Sequence, residues 1–152
     1  MKIIVSDTTA LMILIKCNHM ELLTNFVEKV YIPNEVMKEL SKKNDGIQSA
    51  IEKLDFIEIK NSNLDMGEIE AISLALETGL DLIIDEKSGR KYAKSKGIEI
   101  IGLLGILKIN FVKQHITYIE LLYILDEFKK INFRINPNLE KDFLEDMSNL
   151  EN

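Results

Sequence analysis

Short apolar runs alternate along this chain with longer stretches in which apolar residues recur every three or four positions. Lys2 to Ser6, Lys29 to Ile32, Phe56 to Ile59, Leu80 to Ile84 and Glu99 to Ile101 predict strands, being short and rich in Ile and Val. Between and after them, Thr9 to Lys16, Met20 to Val27, Pro33 to Lys42, Gly46 to Leu54, Met66 to Thr78, Lys87 to Lys96 and Leu103 to Lys113 carry helical periodicity. Ile3-Ile4-Val5 and Leu82-Ile83-Ile84 are apolar on consecutive rather than alternate residues, which predicts strands covered on both faces. Strand and helix in alternation predict a doubly wound α/β fold. Two more helices, Tyr118 to Lys130 and Pro137 to Met147, follow without another strand. Asn136 and Pro137 supply the N-cap and first residue of the second. Both are expected to pack on the sheet or on a second subunit.

At 152 residues and 46% hydrophobic, the chain is expected to form a single domain over 1–152 with a core that needs no staple. Cys17 has no intramolecular partner, and with His19 and His115 it makes no zinc-type spacing, so a reducing cytoplasm is expected. The longest apolar run, Ile100 to Leu107, is short and glycine-broken, and Asp7 interrupts the start before a secretory core could form. A soluble protein with no membrane partner is expected. The net charge of −6 offers no general attraction to a polyanion, so contact with nucleic acid has to come from a local patch. The dense basic segment is Lys87, Arg90, Lys91, Lys94 and Lys96. On a helix Lys87, Lys91 and Lys94 share a face, which reads either as a phosphate contact or as an ordinary solvated surface.

Chemistry concentrates in four acids, Asp7, Glu39, Glu68 and Asp85. Asp7 and Asp85 each end a predicted strand before a helix, and in open parallel sheets ligands bind at that edge, where strand order reverses. The ordinary alternative for both is capping of the following helix, and Glu86 stands beside Asp85 as a substitute or helper. Glu68 aligns with the apolar stripe of Ile69, Ala71, Ile72, Ala75 and Leu76, while Asp65-Met66-Gly67-Glu68 also matches an acidic capping box. Glu39 lies at the margin of the core side formed by Val36, Met37 and Leu40, with Glu35 one turn earlier as a rival. Converging carboxylates repel one another and take up protons unless a cation joins them, and oxygen ligands alone suit magnesium or manganese. With no nucleophile triad, phosphate-binding glycine loop or glycosidase pair in evidence, metal-assisted phosphodiester hydrolysis is the reaction class that remains.

Together these residues resemble the PIN-domain ribonucleases, and more narrowly the short PIN proteins similar to VapC-type toxins. The resemblance spans nearly the whole chain and rests on Ile4-Val5-Ser6-Asp7-Thr8-Thr9-Ala10-Leu11, Tyr31-Ile32-Pro33, Glu39-Leu40, Gly67-Glu68-Ile69-Glu70-Ala71-Ile72 and Ile84-Asp85-Glu86. Gly89-Arg90, Ile101 to Leu107 and Phe133-Arg134-Ile135 extend it. It implies a PIN-like three-layer sandwich with a five-stranded parallel sheet flanked by helices, the C-terminal helices of about 118–147 packing on it. It also implies an acidic quartet of Asp7, Glu39, Glu68 and Asp85, holding Mg2+ or Mn2+ for RNA cleavage. Glu39 is preferred to Glu35 on this ground. A homodimer and a cognate antitoxin are the implied partners beside the RNA substrate. The third acid is Glu where the wider family often has Asp, which lengthens that arm. Ser6, Thr8 and Glu86 stand as auxiliary residues, and Lys87, Arg90, Lys91 and Lys94 as candidate RNA contacts.

Two other readings compete. A non-catalytic PIN-like module that binds a protein or RNA would suit the acidic surface. A receiver-like domain would need adjacent acids after the first strand and a lysine after the fifth, where this chain has Ser6-Asp7 and Ile101-Gly102.

Overall fold

The computed structural model describes residues 2–42, 46–64, 69–131 and 133–151. Its five strands, β1 (Lys2–Ser6), β2 (Val27–Ile32), β3 (Ile57–Ile59), β4 (Leu82–Ile83) and β5 (Ile100–Ile101), form one sheet in the order β3-β2-β1-β4-β5. Every pairing is parallel. From β1 the chain winds outward through β2 and β3, then returns to lay β4 on the other side of β1. The reversal of strand order therefore falls between β1 and β4, whose carboxyl ends present Asp7 and Asp85.

Consecutive apolar residues in β1 and β4 serve opposite layers, as their pattern predicts. Ile4 and Ile83 belong to one buried cluster, while Val5, Leu82 and Ile84 belong to the other. The larger cluster packs α1 (Thr8–Lys16), α2 (Glu21–Thr24), α3 (Asn34–Lys42) and α4 (Ile47–Glu52) against the sheet. Also in it are α7 (Leu103–Val112), α8 (Tyr118–Lys130) and α9 (Pro137–Glu151). The smaller cluster is built from α5 (Glu70–Thr78) and α6 (Lys87–Ser95). The result is an α/β sandwich of helix, sheet and helix layers.

Departures from the sequence expectation are mostly at boundaries. The helix expected over Met20 to Val27 closes at Thr24, because Val27 is taken into β2 opposite Lys2, where a register shift between Lys2 and Ile3 lets the strand start early. β4 is shorter than Leu80 to Ile84, yet Asp81 C=O and Ile84 N–H still bond to Val5 and Ile101 across the sheet. The start expected for α5 at Met66, with its Asp65–Glu68 capping box, lies outside the described residues. α8 begins as a full capping box, Thr117 Oγ1 accepting from Glu120 N–H and Glu120 Oε1 accepting from Thr117 N–H. Among the described residues no helix is long and apolar enough to cross a membrane.

Candidate active site

Asp7 follows the last residue of β1, and its backbone N–H is fixed by Ile83 C=O of β4 at 2.9 Å. It stands at the N-cap position of α1, but its side chain makes no capping hydrogen bond, so the alternative role foreseen for it is not taken up. The carboxylate instead lines a cleft of about 540 Å³ with Thr8, Glu35, Glu39, Glu86 and the first turn of α6. Burial pushes its pKa up to about 6, the nearby Thr8 N–H offsets part of that rise, and the negative charges of Glu39, Glu86 and Glu35 add to it.

Glu39 reaches the same cleft from α3, which buries Val36 and Leu40 on its other side. Thr8 Oγ1 donates to Glu39 Oε2 at 2.8 Å, tying the start of α1 to α3 and holding this exposed carboxylate at the mouth of the cleft. Its rival Glu35 also lines the cleft, but Glu35 Oε2 accepts from Glu70 N–H at 3.1 Å. That bond satisfies an otherwise free donor at the start of α5, where Ile69 at the N-cap has no side chain able to accept. Ser6 is fully buried and donates to Asp7 C=O at 2.9 Å, a backbone role. Thr8, of the two hydroxyl residues singled out in the sequence, is the one that faces the cleft.

Asp85 has a different setting. Its Oδ1 accepts from Leu103 N–H, 3.2 Å away at the start of α7, while its Oδ2 is buried with no hydrogen-bond partner among the described residues. Burial raises its pKa, and the Leu103 N–H and Arg90 pull the other way. Gly102 leaves room beside it, since a Cβ there would stand 3.0 Å from Asp85 Oδ1 and press on the carboxylate. The carboxylate lines a second cavity, of about 620 Å³, with Lys87, Arg90 and Arg134. Glu86, its neighbour in sequence, enters the Asp7 cleft, where it accepts from Ser88 Oγ.

Of the four expected acids, Asp7 and Glu39 thus share one cleft and Asp85 lines the adjoining cavity; Glu68 lies outside the described residues. Among the described residues no three Asp, Glu, His or Cys side chains form a group able to hold a metal ion. The donor chemistry nevertheless fits a hard divalent cation. The cleft offers carboxylate oxygens, burial and the neighbouring Glu39, Glu86 and Glu35 raise the pKa of Asp7, and a buried oxygen of Asp85 has no hydrogen-bond partner among the described residues.

The basic helix divides. Lys87 and Arg90 line the cavity beside Asp85, Lys94 lines a shallow pocket at the far end of α6, and Lys91 is exposed. Arg134 was not foreseen as a contact, although Phe133-Arg134-Ile135 marked the segment as similar to the family.

The sheet is all-parallel, and acids follow two adjoining strands, β1 at its centre and β4 beside it, at the point where strand order reverses. The chain matches the DUF3368 family, a PIN domain, over residues 3–149, and belongs to that family. PIN domains are in general nucleases, which places its chemistry, at that coarse level, with hydrolases. Among solved structures it is similar to a PilT N-terminus domain protein from the hyperthermophilic archaeon Sulfolobus solfataricus P2. The two share 23% identity with a TM-score of 0.50, over 70% of this chain and 91% of the other. That likeness supports the fold. No curated protein matches the chain.

Proposed function

We propose that the chain is a magnesium- or manganese-dependent endoribonuclease that hydrolyses RNA phosphodiester bonds in the Asp7 cleft. The observation that carries this reading is the placement of Asp7 at the switch point of the sheet, facing Glu39 and Glu86 with its pKa raised to about 6. Such a carboxylate is poorly served by protein alone and well served by a cation. Asp7 and Glu39, with Glu68 and Asp85, would hold the ion. Bound there, it would supply a water of lowered pKa and neutralise charge on the leaving oxygen. The work of the protein is to orient. β1 and the Ile83 C=O fix the backbone of Asp7, Thr8 holds Glu39 at the cleft mouth, and Glu86 is positioned to accept a proton or a water.

The biological setting that best suits a short PIN protein of this kind is the toxin of a toxin-antitoxin pair, VapC-like, cytoplasmic and homodimeric. An antitoxin would answer the acidic cleft with a basic side chain. A second reading, a PIN-like module that binds RNA or protein without cutting, draws on one observation: Asp85 spends one oxygen on α7 rather than facing Asp7. Purified protein incubated with a mixed RNA pool and Mg2+ or Mn2+ tests the choice. Cleavage that stops with EDTA and returns with added metal is expected; a folded protein that cuts nothing under any of these conditions favours the binding module.

A further inference from the structure

The first turn of α6 is a wall between two cavities of opposite character. Ser88, Gly89 and Tyr92 face the acidic cleft, as does Glu86 at the N-cap, while Lys87 and Arg90 face the cavity behind, in the alternation that helical geometry imposes. That second cavity also receives Arg134 from the segment leading into α9. A protein with net charge −6 thus gathers three cationic side chains around one space in which Asp85 is the only acid among the described lining residues. Among the described residues, none of Lys87, Arg90 and Arg134 takes part in a side-chain hydrogen bond or an ion pair within 4 Å. Among the described residues their hydrogen-bond donors are available, although the charge of Arg90 acts on Asp85. Phe133 and Leu139 give the same cavity an apolar side, and Leu139 is 50% exposed.

We infer that this cavity is a nucleotide subsite, taking the backbone phosphate and base that neighbour the bond held in the Asp7 cleft. The inference rests on the nuclease reading for its register, since the two cavities share one helical turn and a single strand crossing it would pass from one to the other. Guanidinium groups grip phosphate through paired donors, and an apolar wall accepts any base face without reading its edge. The subsite therefore holds single-stranded RNA in place and contributes little sequence preference. It also gives an acidic protein a way to bind a polyanion: the attraction is local, gathered at one cavity rather than spread over the surface.

Binding and cleavage can be separated. Affinity of the full chain for a short, single-stranded RNA is measured in EDTA by fluorescence anisotropy over a range of salt, for wild type, Arg134→Gln, Arg134→Lys and Lys113→Gln. Arg134 is exposed, and Lys113 is an exposed lysine at the C-terminal end of α7, outside both cavities. Arg134→Gln is expected to weaken binding about five- to tenfold and to lower the salt slope by about one, with partial rescue in Arg134→Lys and no change in Lys113→Gln. In cleavage assays the same loss is expected in KM rather than kcat. Unchanged affinity in Arg134→Gln, or equal loss in Lys113→Gln, overturns the subsite even if the protein cuts RNA. So does a polyglutamate peptide that competes as well as RNA does, which would make the cavity a dock for acidic protein. Arg134-dependent binding by a protein that never cuts would uphold the subsite and defeat the nuclease reading instead.

Discussion

Asp7 and Asp85 occupy corresponding places, each after a central strand and before a helix, yet the molecule treats them differently. Asp7 makes no capping bond, sits among other carboxylates and is pushed up to about 6. Asp85 gives one oxygen to the N-terminus of α7, has Arg90 nearby and leaves its other oxygen buried with no hydrogen-bond partner among the described residues. The contrast teaches that aspartates in equivalent strand-end positions take different properties from what surrounds them. At Asp7 burial and three nearby carboxylates outweigh the Thr8 N–H, whereas Asp85 is held on one oxygen by the Leu103 N–H with Arg90 nearby.

The widest separation between the two should be thermodynamic. Asp7 titrates near 6 in the folded protein against 3.8 for an unperturbed group, so the fold holds that proton more tightly than the unfolded chain does. This stabilisation is complete below about pH 4 and is lost as pH rises through 6, a difference of about 2 to 3 kcal/mol without metal. Asp7→Asn, which cannot ionise, is therefore expected to melt above wild type at pH 7.5 in EDTA, with the gap closing near pH 4. Added Mn2+ should raise the melting temperature of wild type only. A variant less stable than wild type across the whole range would break the contrast.

Gly102→Ala probes the other aspartate. The new methyl would meet Asp85 Oδ1 at 3.0 Å and displace the carboxylate from Leu103 N–H. A loss of about 1 to 2 kcal/mol in urea unfolding is expected, together with weaker cleavage. Wild-type stability would mean that the bond to α7 contributes nothing. A smaller effect is expected from Thr8→Val, which removes the donor to Glu39 at an exposed carboxylate. About 0.5 to 1 kcal/mol of stability should go, and cleavage should decline through kcat as Glu39 loses its fixed position. An unaltered kcat would show that Glu39 needs no such support.

Much of the fold was legible because burial on both faces leaves a mark along the chain. Ile4 and Val5, or Leu82 and Ile83, can be neighbouring and apolar only if each side of the sheet is covered. Strand order is written in no local pattern, and here the family resemblance supplied the expectation. At the site, proximity in sequence misdirected the capping argument. Asp85 precedes α6 but caps α7, eighteen residues further on. Glu35, which looked like a competing ligand, serves the start of α5 from across the cleft. Arg134 joins Arg90 only because the segment before α9 folds back to the sheet edge, a tertiary encounter that helical periodicity cannot reveal. The one signal for it was its place in a segment similar to the family.

The most direct test of the account is single-turnover RNA cleavage by wild type and Asp7→Asn at saturating Mn2+, with circular dichroism confirming that both are folded. The account predicts a loss of about a thousandfold or more in the variant, the scale on which removal of a group essential to transition-state charge is felt. Cleavage at the wild-type rate by folded Asp7→Asn would contradict it and move the chemistry out of the Asp7 cleft.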